Sequence, residues 1–161
     1  MVKAMSHRTT LLLLLALQAL PLLACCAAAP PPDPKALAST DLARGTTSAI
    51  TEQRLVLVRD EAQWAELWRE HGSIRIPSPP APEVDWSTRQ VVALVLGQRS
   101  SGGYAVTIEE IRPVEGGWQV IAREDRPAPD AATTMALTSP YHFVVLEEKL
   151  DPDLGLELVL R

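Results

Sequence analysis

Gly97-Gln98-Arg99-Ser100-Ser101-Gly102-Gly103-Tyr104-Ala105-Val106 separates two segments whose patterns predict β-strands. Before it, residues 91–96 form an uninterrupted apolar run, which predicts a strand buried on both faces at the centre of a sheet. After it, residues 104–111 alternate between apolar and polar, which predicts a strand with one buried face. Consecutive glycines accept positive φ angles, so we expect this stretch to form a hairpin that sets the register of the two strands.

A short amphipathic helix is predicted over residues 61–71. Its apolar residues at helical spacing, all expected in the core, are Trp64, Leu67 and Trp68. Asp60 is a suitable N-cap, with Gln63 at the spacing of a capping box. Gly72 follows where a C′ residue is expected.

The remaining segments indicate a mainly β domain. Further strands are predicted at residues 55–58, 118–122, 143–146 and 156–160. Glu115-Gly116-Gly117 predicts a second hairpin. The fold class is therefore α+β, with about six strands in a mainly antiparallel meander and one short helix.

The N-terminal region is typical of an exported lipoprotein. Residues 1–24 combine Lys3 and Arg8 with an apolar run, as in a signal peptide. The following Leu22-Leu23-Ala24-Cys25 resembles the bacterial lipobox, which implies cleavage after Ala24 and lipidation of Cys25. The alternative is an ordinary secretory signal cleaved further on, at Ala28 or Ala29.

This organisation predicts three parts and a location. Residues 1–24 are the signal peptide, residues 25–48 are a flexible tether rich in proline and alanine, and residues 49–161 are the domain. We expect the protein in the bacterial cell envelope, anchored to a membrane by lipid and facing the periplasm or the outer surface.

Net charge and cysteine content argue against some partners and against a disulfide in the domain. The net charge of −5 becomes more negative when residues 1–24 are removed, which argues against nucleic acid and anionic lipid as partners. The two cysteines are Cys25 and Cys26, so no disulfide is expected within the domain.

Few residues suited to catalysis or metal binding occur in the predicted domain. His71 and His142 are its histidines, and no His-x-x-x-His or Cys-x-x-Cys spacing exists, so no metal site is predicted. Gly-x-Ser-x-Gly is absent around Ser100 and Ser101, and no Lys-Ser or Lys-Thr follows Gly102 as a phosphate loop requires. The sequence predicts a protein that is not an enzyme and carries no cofactor.

Three segments carry a family resemblance: Val84-Asp85-Trp86, then Val91-Val92-Ala93-Leu94 with Gly97 and Gly102-Gly103-Tyr104, then Leu137-Thr138-Ser139-Pro140-Tyr141-His142. They resemble the PrcB C-terminal domain family over residues 55–161. The resemblance implies an accessory envelope lipoprotein that supports a protease complex, with a protein partner and no catalytic residues to carry over.

Exposed turns of this pattern provide candidate partner-binding residues. They are Arg99, Gly102, Gly103, Tyr104, Arg126, Pro140, Tyr141 and His142. A purely structural alternative is open for two segments. In this alternative, Gly102-Gly103 serves only to form a hairpin, and Tyr104 packs on a neighbouring strand. Likewise, Pro140 serves only to precede an edge strand, and His142 bonds to a backbone carbonyl.

A second function remains open. The order Ser101-Gly102-Gly103-Tyr104, then Gly116-Gly117, then Arg126-Pro127 is similar to the three loops of chagasin-type inhibitors of cysteine proteases. The resemblance implies an inhibitor that binds a protease through those loops. Ala128 stands where that family has an aromatic residue.

Overall fold

The computed structural model describes residues 35–151 and 153–161. The predicted signal peptide, the lipidation site at Cys25 and residues 25–34 of the predicted tether lie outside these residues. Within the described part, no helix is both long and apolar enough to cross a membrane.

The described chain forms seven strands and one helix. In chain order they are β1 (Ser39–Gly45), β2 (Arg54–Val58), α1 (Glu61–Gly72), β3 (Gln90–Val95), β4 (Ala105–Val114), β5 (Gly117–Asp125), β6 (Tyr141–Leu146) and β7 (Gly155–Leu160).

The strands form two sheets. The first has the order β1-β6-β3-β2 and every neighbouring pair is antiparallel. The second has the order β4-β5-β7, in which β4 and β5 are antiparallel and β5 and β7 are parallel. The prediction of an α+β fold built on mainly antiparallel strands is confirmed at this level, and the second hairpin is confirmed at Gly116, where φ is 81°.

Strand β3 is buried along its whole length, as its uninterrupted apolar run predicts. Val91, Ala93 and Val95 face the layer that contains α1, and the alternate residues Val92 and Leu94 face the second sheet. Strand β6 beside it is buried in the same way. The first sheet is therefore the middle layer between α1 and the second sheet.

Helix α1 begins and packs as predicted. The Asp60 side chain accepts a hydrogen bond from the Gln63 backbone N at 2.8 Å, and Trp64 and Trp68 are buried in the core. Their indole Nε1 groups donate to the backbone oxygens of Pro82 and Pro79, at 3.0 and 2.8 Å. These bonds give both indole N–H groups partners and hold the proline-rich segment against the helix.

Gly72 does not act as the predicted C′ residue. It is the last residue of α1, and positive φ among the described residues is confined to Gly97, Gly103 and Gly116. The Ser78 hydroxyl lies 2.7 Å from where a Cβ of Gly72 would be. A side chain at this position would require the Ser78 hydroxyl to move.

The predicted hairpin at residues 97–106 is wrong, and so is the simple meander. Strand β3 pairs with β2 and β6, whereas β4 pairs with β5 in the other sheet. The stretch therefore crosses from one sheet to the other. Alternation in β4 correctly predicts one buried face, and that face covers the first sheet instead of extending it.

The domain also begins earlier than predicted. Residues 39–45, assigned to the flexible tether, form β1 on the outer edge of β6. This strand has little apolar alternation because none of its residues is fully buried, and Leu42 and Ala43 are half-buried on the core. The boundary at residue 49 is therefore too late by at least ten residues.

Candidate partner-binding site

Four connecting segments meet at one end of the domain, which we call the loop end. They are residues 46–53, 73–76, 97–104 and 126–139. Arg99 and Thr138 exchange two backbone hydrogen bonds, with N···O distances of 2.7 and 3.1 Å. The backbone N of Gln98 donates to Thr51 O at 2.8 Å, and that of Gly102 donates to Thr134 O at 3.0 Å. These bonds fix the loops to one another.

Glycines permit this close approach. Gly97 has φ of 77°, and a Cβ on it would lie 2.7 Å from the backbone oxygen of Thr51. Gly103 has φ of 89°, and a Cβ there would lie 2.9 Å from the Pro127 ring. Both positions combine a left-handed backbone with a close neighbour, so no other residue fits without a shift.

A buried carboxylate joins two of the candidate arginines. Arg99 Nε donates to Glu124 Oε1 at 2.8 Å, and Arg126 Nη2 donates to Glu124 Oε2 at 2.7 Å. The Glu124 side chain is 3% exposed, against 23% for Arg99 and 71% for Arg126. Burial alone would raise the pKa of Glu124, but hydrogen bonds from Arg126 and Arg99 outweigh it and lower this pKa.

The structure brings five of the eight candidate residues together at the loop end: Arg99, Gly102, Gly103, Tyr104 and Arg126. Tyr104 lies just before β4 and is half-buried, with the Arg99 guanidinium 6.0 Å from its ring centroid. Arg99 also donates through Nη1 to the backbone oxygen of Leu96 at 3.0 Å. The pair of arginines is thus a rigid, positively charged feature of this end.

The other three candidates lie inside the protein. Pro140 is buried and its backbone oxygen accepts a hydrogen bond from Leu96 N at 2.9 Å. The Tyr141 ring packs edge-on against His71, with 4.2 Å between centroids. His142 is also buried. None of the three presents a side chain to a partner, because the Tyr-His pair starts the central strand β6 and not an edge strand.

His142 joins the two sheets. Its Nδ1 accepts a hydrogen bond from the Ile108 backbone N at 2.8 Å, so the proton of the neutral ring is on Nε2, which donates to Asp41 Oδ1 at 3.0 Å. Burial lowers the pKa of His142, and the Asp41 carboxylate opposes this change. The predicted bond to a backbone carbonyl is wrong, because β4 has a bulge between Ile108 and Glu110 and presents an N–H group to the ring.

The second inhibitor-like turn lies away from the loop end. Along the β4–β5 ladder, Ala105 pairs with Asp125 near the loop end and Val114 pairs with Gly117 at the opposite end. Gly116-Gly117 is therefore separated from Gly103 by the length of the ladder. Three loops that bind one protease must converge, so the chagasin-like arrangement is wrong for this chain.

An open groove of about 410 Å³ occupies the loop end. All four segments contribute to its walls, through residues that include Ser48, Ile74, Gln98, Leu137 and Thr138. Ile74 is 60% exposed and Leu137 is 67% exposed. Exposed apolar side chains beside a groove are typical of surfaces that bind other proteins.

A serine and a histidine meet at this groove in an arrangement unsuited to nucleophilic catalysis. Arg75 Nη2 lies 2.8 Å from His71 Nε2 and can only donate, so His71 accepts there and its Nδ1 donates to Ser48 Oγ at 2.9 Å. A general base would have to accept the serine proton instead. Burial, followed by the Arg75 charge, lowers the pKa of His71 to about 4. Within residues 35–151 and 153–161, no three His, Cys, Asp or Glu side chains are grouped as metal ligands.

The groove itself is not predicted from the sequence. Ile74 and Leu137 lie in segments rich in Pro, Ser and Thr, each with another large apolar residue two positions away, at Ile76 and Met135. Two apolar residues are too few to predict a strand with a buried face, and that was a usable signal for exposed apolar side chains. The contact between their two segments depends on long-range packing and has no local signal.

The fold and the loop end define a small two-sheet α+β domain with a rigid, partly apolar groove between its connecting loops. The family model described as PrcB C-terminal matches residues 90–147. The matched residues run from β3 through β6, and the match supports the resemblance to this family that the turn motifs predict. No curated protein and no solved structure matches the chain.

Proposed function

We propose that this protein is an accessory lipoprotein of the bacterial envelope whose domain binds another protein, a protease or a member of its complex. The observation that carries the proposal is the groove flanked by Ile74, which follows α1, and Leu137, whose loop is fixed to the loop after β3 by the backbone bonds between Arg99 and Thr138. The family match at residues 90–147 supports an association with a protease.

The loop end favours binding over catalysis. Apolar side chains in contact with solvent lose that exposure when a partner covers them, which stabilises the complex. Hydrogen bonds from Arg99 to Leu96 O and Glu124 hold this side chain in place before binding, so less conformational entropy is lost on association. His71 is oriented by Arg75 as a hydrogen-bond donor to Ser48, which stabilises the loop and leaves the serine unactivated.

Replacement of one exposed side chain tests the binding surface. We expect Leu137→Ser to weaken recovery of a partner from envelope membranes, because this side chain flanks the groove and is not needed for the core. Met135→Ser is the matched control, since Met135 is fully exposed in the same loop and does not line the groove. Equal recovery by folded wild type and Leu137→Ser protein would contradict the proposal.

The anchor is tested separately. Lipid attachment at Cys25 would place the domain at a membrane surface with the chain on one side of the bilayer. Incorporation of labelled palmitate should be present in the wild-type protein and absent in Cys25→Ser. Label that persists in Cys25→Ser would show that the lipid, if any, is elsewhere.

A further inference from the structure

Strand β7 has an open edge. It pairs with β5 on one side, and no other strand among the described residues pairs with it. Arg161 N donates to Ala122 O and Arg161 O accepts from Glu124 N, both at 2.9 Å, so the backbone groups of Arg161 point towards β5. Because this direction alternates along a strand, outward-pointing N–H and C=O groups belong to Leu156, Leu158 and Leu160.

The two edges of the second sheet differ in how they resist pairing. Strand β4 has a bulge between Ile108 and Glu110 and contains Pro113, and both features obstruct the approach of another strand. The described register of β7 is regular from Gly155 to Leu160, without proline or bulge. Its outer edge can accept a further strand.

A second, antiparallel β7 fits this edge, and one register places opposite charges directly opposite one another. With the two-fold axis at Val159, Glu157 of each copy lies opposite Arg161 of the other, which gives two symmetric ion pairs. Leu158 then lies opposite Leu160, and the outward backbone groups of these leucines exchange hydrogen bonds. An axis at Leu158 also suits the backbone, but it places Glu157 opposite Val159, and Arg161 is then only a diagonal neighbour of Glu157.

The two faces of β7 are also compatible with the register whose axis is at Val159. Leu156, Leu158 and Leu160 point towards the first sheet and are half-buried on its core. Glu157 and Arg161, on the other face, are exposed and so can turn towards a neighbour. A paired copy would cover leucine surface on one face and match charges on the other.

We propose that a second copy of this chain binds at β7, antiparallel and with its two-fold axis at Val159, so that the second sheets of two copies form one continuous sheet. This self-association is independent of the groove at the loop end, because it uses the outer edge of the second sheet. The partner is the protein itself, recognised through backbone hydrogen bonds and the two Glu157–Arg161 pairs.

Charge exchange tests the register. In sedimentation of the full-length protein over a range of concentrations, we expect wild type to dimerise. Glu157→Arg and Arg161→Glu should each raise the dissociation constant about tenfold or more, because each places like charges opposite one another. The double variant Glu157→Arg with Arg161→Glu should restore wild-type affinity, and Glu83→Arg, on the helix side, should have no effect.

Each other outcome overturns the proposal. A wild type that stays monomeric throughout, a dimer insensitive to both single changes, or a folded double variant without recovery would each rule out this interface. Circular dichroism and melting temperature verify folding of each variant.

A cysteine at the axis gives a second measurement. In protein with Cys25→Ser and Cys26→Ser, Val159→Cys should form an intermolecular disulfide, because residues opposite one another in a non-hydrogen-bonded pair have Cα atoms about 4.5 Å apart. Glu157→Cys is the control, since the two copies of residue 157 lie four positions apart along the paired strands. Equal cross-linking of the two variants, or none with Val159→Cys, contradicts the register.

Discussion

His142 Nδ1 accepts a hydrogen bond from the Ile108 backbone N at 2.8 Å, which joins a central strand of the first sheet to the bulged strand of the second. Both groups are buried, so neither has water as a substitute. The bulge leaves the Ile108 N–H without a strand partner, and the imidazole takes that place. The bulge in β4 and the histidine at position 142 in β6 therefore depend on each other.

Removal of this imidazole should destabilise the domain strongly. We expect His142→Ala to lower the free energy of unfolding by about 2–4 kcal/mol, since it leaves a buried N–H unpaired and creates a cavity. Asp41→Asn should change it by less than about 1 kcal/mol, because the Asp41 side chain is exposed and an amide oxygen can still accept. Urea unfolding of both variants measures the difference, and similar losses would contradict the assigned roles.

Acid should destabilise the protein before its carboxylates titrate. The pKa of His71 is lowered from 6.5 to about 4 by burial and by Arg75, so between these values the unfolded chain binds a proton that the folded chain does not. Stability therefore falls as the pH decreases from about 6.5 to about 4, by about 1.4 kcal/mol per pH unit for this group. The lowered pKa of His142 acts in the same direction.

Unfolding by urea at several pH values measures this slope. His71→Gln should be less stable at neutral pH, because Ser48 and Arg75 lose the geometry of the imidazole, and its stability should depend less on pH in this window. A slope identical to that of the wild type would contradict the assignment to His71. Glu124 contributes only at lower pH, since its pKa is already below the ordinary value.

Helix α1 and strand β3 could be predicted because their signals are local. Trp64 and Trp68 stand at helical spacing behind the Asp60 cap, and the apolar run of β3 has no polar break. The pairing of β4 could not be predicted in this way. Its alternation specifies one buried face but not which sheet it joins, and the glycines suit a crossing as well as a hairpin.

The candidate site was predicted only in part for the same reason. Arg99 and Arg126 were selected from loops, where exposure is a sound expectation, and they meet at Glu124. Tyr141 and His142 follow Pro140, which suggested an edge strand, but β1 covers that side of β6. Strand β1, which was not predicted, makes β6 a central strand, so the expectation of an edge strand is wrong.

Gly97 and Gly116 should respond differently to the same substitution. Both have positive φ, so alanine at either is expected to cost about 1–2 kcal/mol from backbone strain. Nothing lies within 4 Å of a Cβ at Gly116, whereas one at Gly97 meets the backbone of Thr51 at 2.7 Å. We expect Gly97→Ala to lose about 1–3 kcal/mol more than Gly116→Ala, because the neighbouring backbone must move.

Thermal or urea unfolding of this matched pair isolates the effect of close approach from that of φ. Equal losses would show that the contact between residues 51 and 97 relaxes without cost. Partner recovery should also decrease for Gly97→Ala and not for Gly116→Ala, since Gly97 lies at the loop end and Gly116 at the opposite end of the ladder.

The two arginines on Glu124 should differ in importance although both bind the same carboxylate. Arg99 is mostly buried and also donates to Leu96 O, so Arg99→Ala removes several hydrogen bonds and leaves a buried carboxylate with one exposed partner. We expect it to cost about 2–4 kcal/mol of stability. Arg126→Ala should cost less than about 1 kcal/mol, because Arg126 is largely exposed and Arg99 still pairs with Glu124.

The double variant distinguishes a shared network from independent contacts. If Glu124 couples the two arginines, Arg99→Ala with Arg126→Ala should lose more stability than the sum of the single changes, since the carboxylate then has neither partner. Glu124→Gln should reduce that excess, because a neutral amide is less costly to bury. Additive losses with Glu124 intact would contradict the coupling, and the arginines would then stabilise the loop end separately.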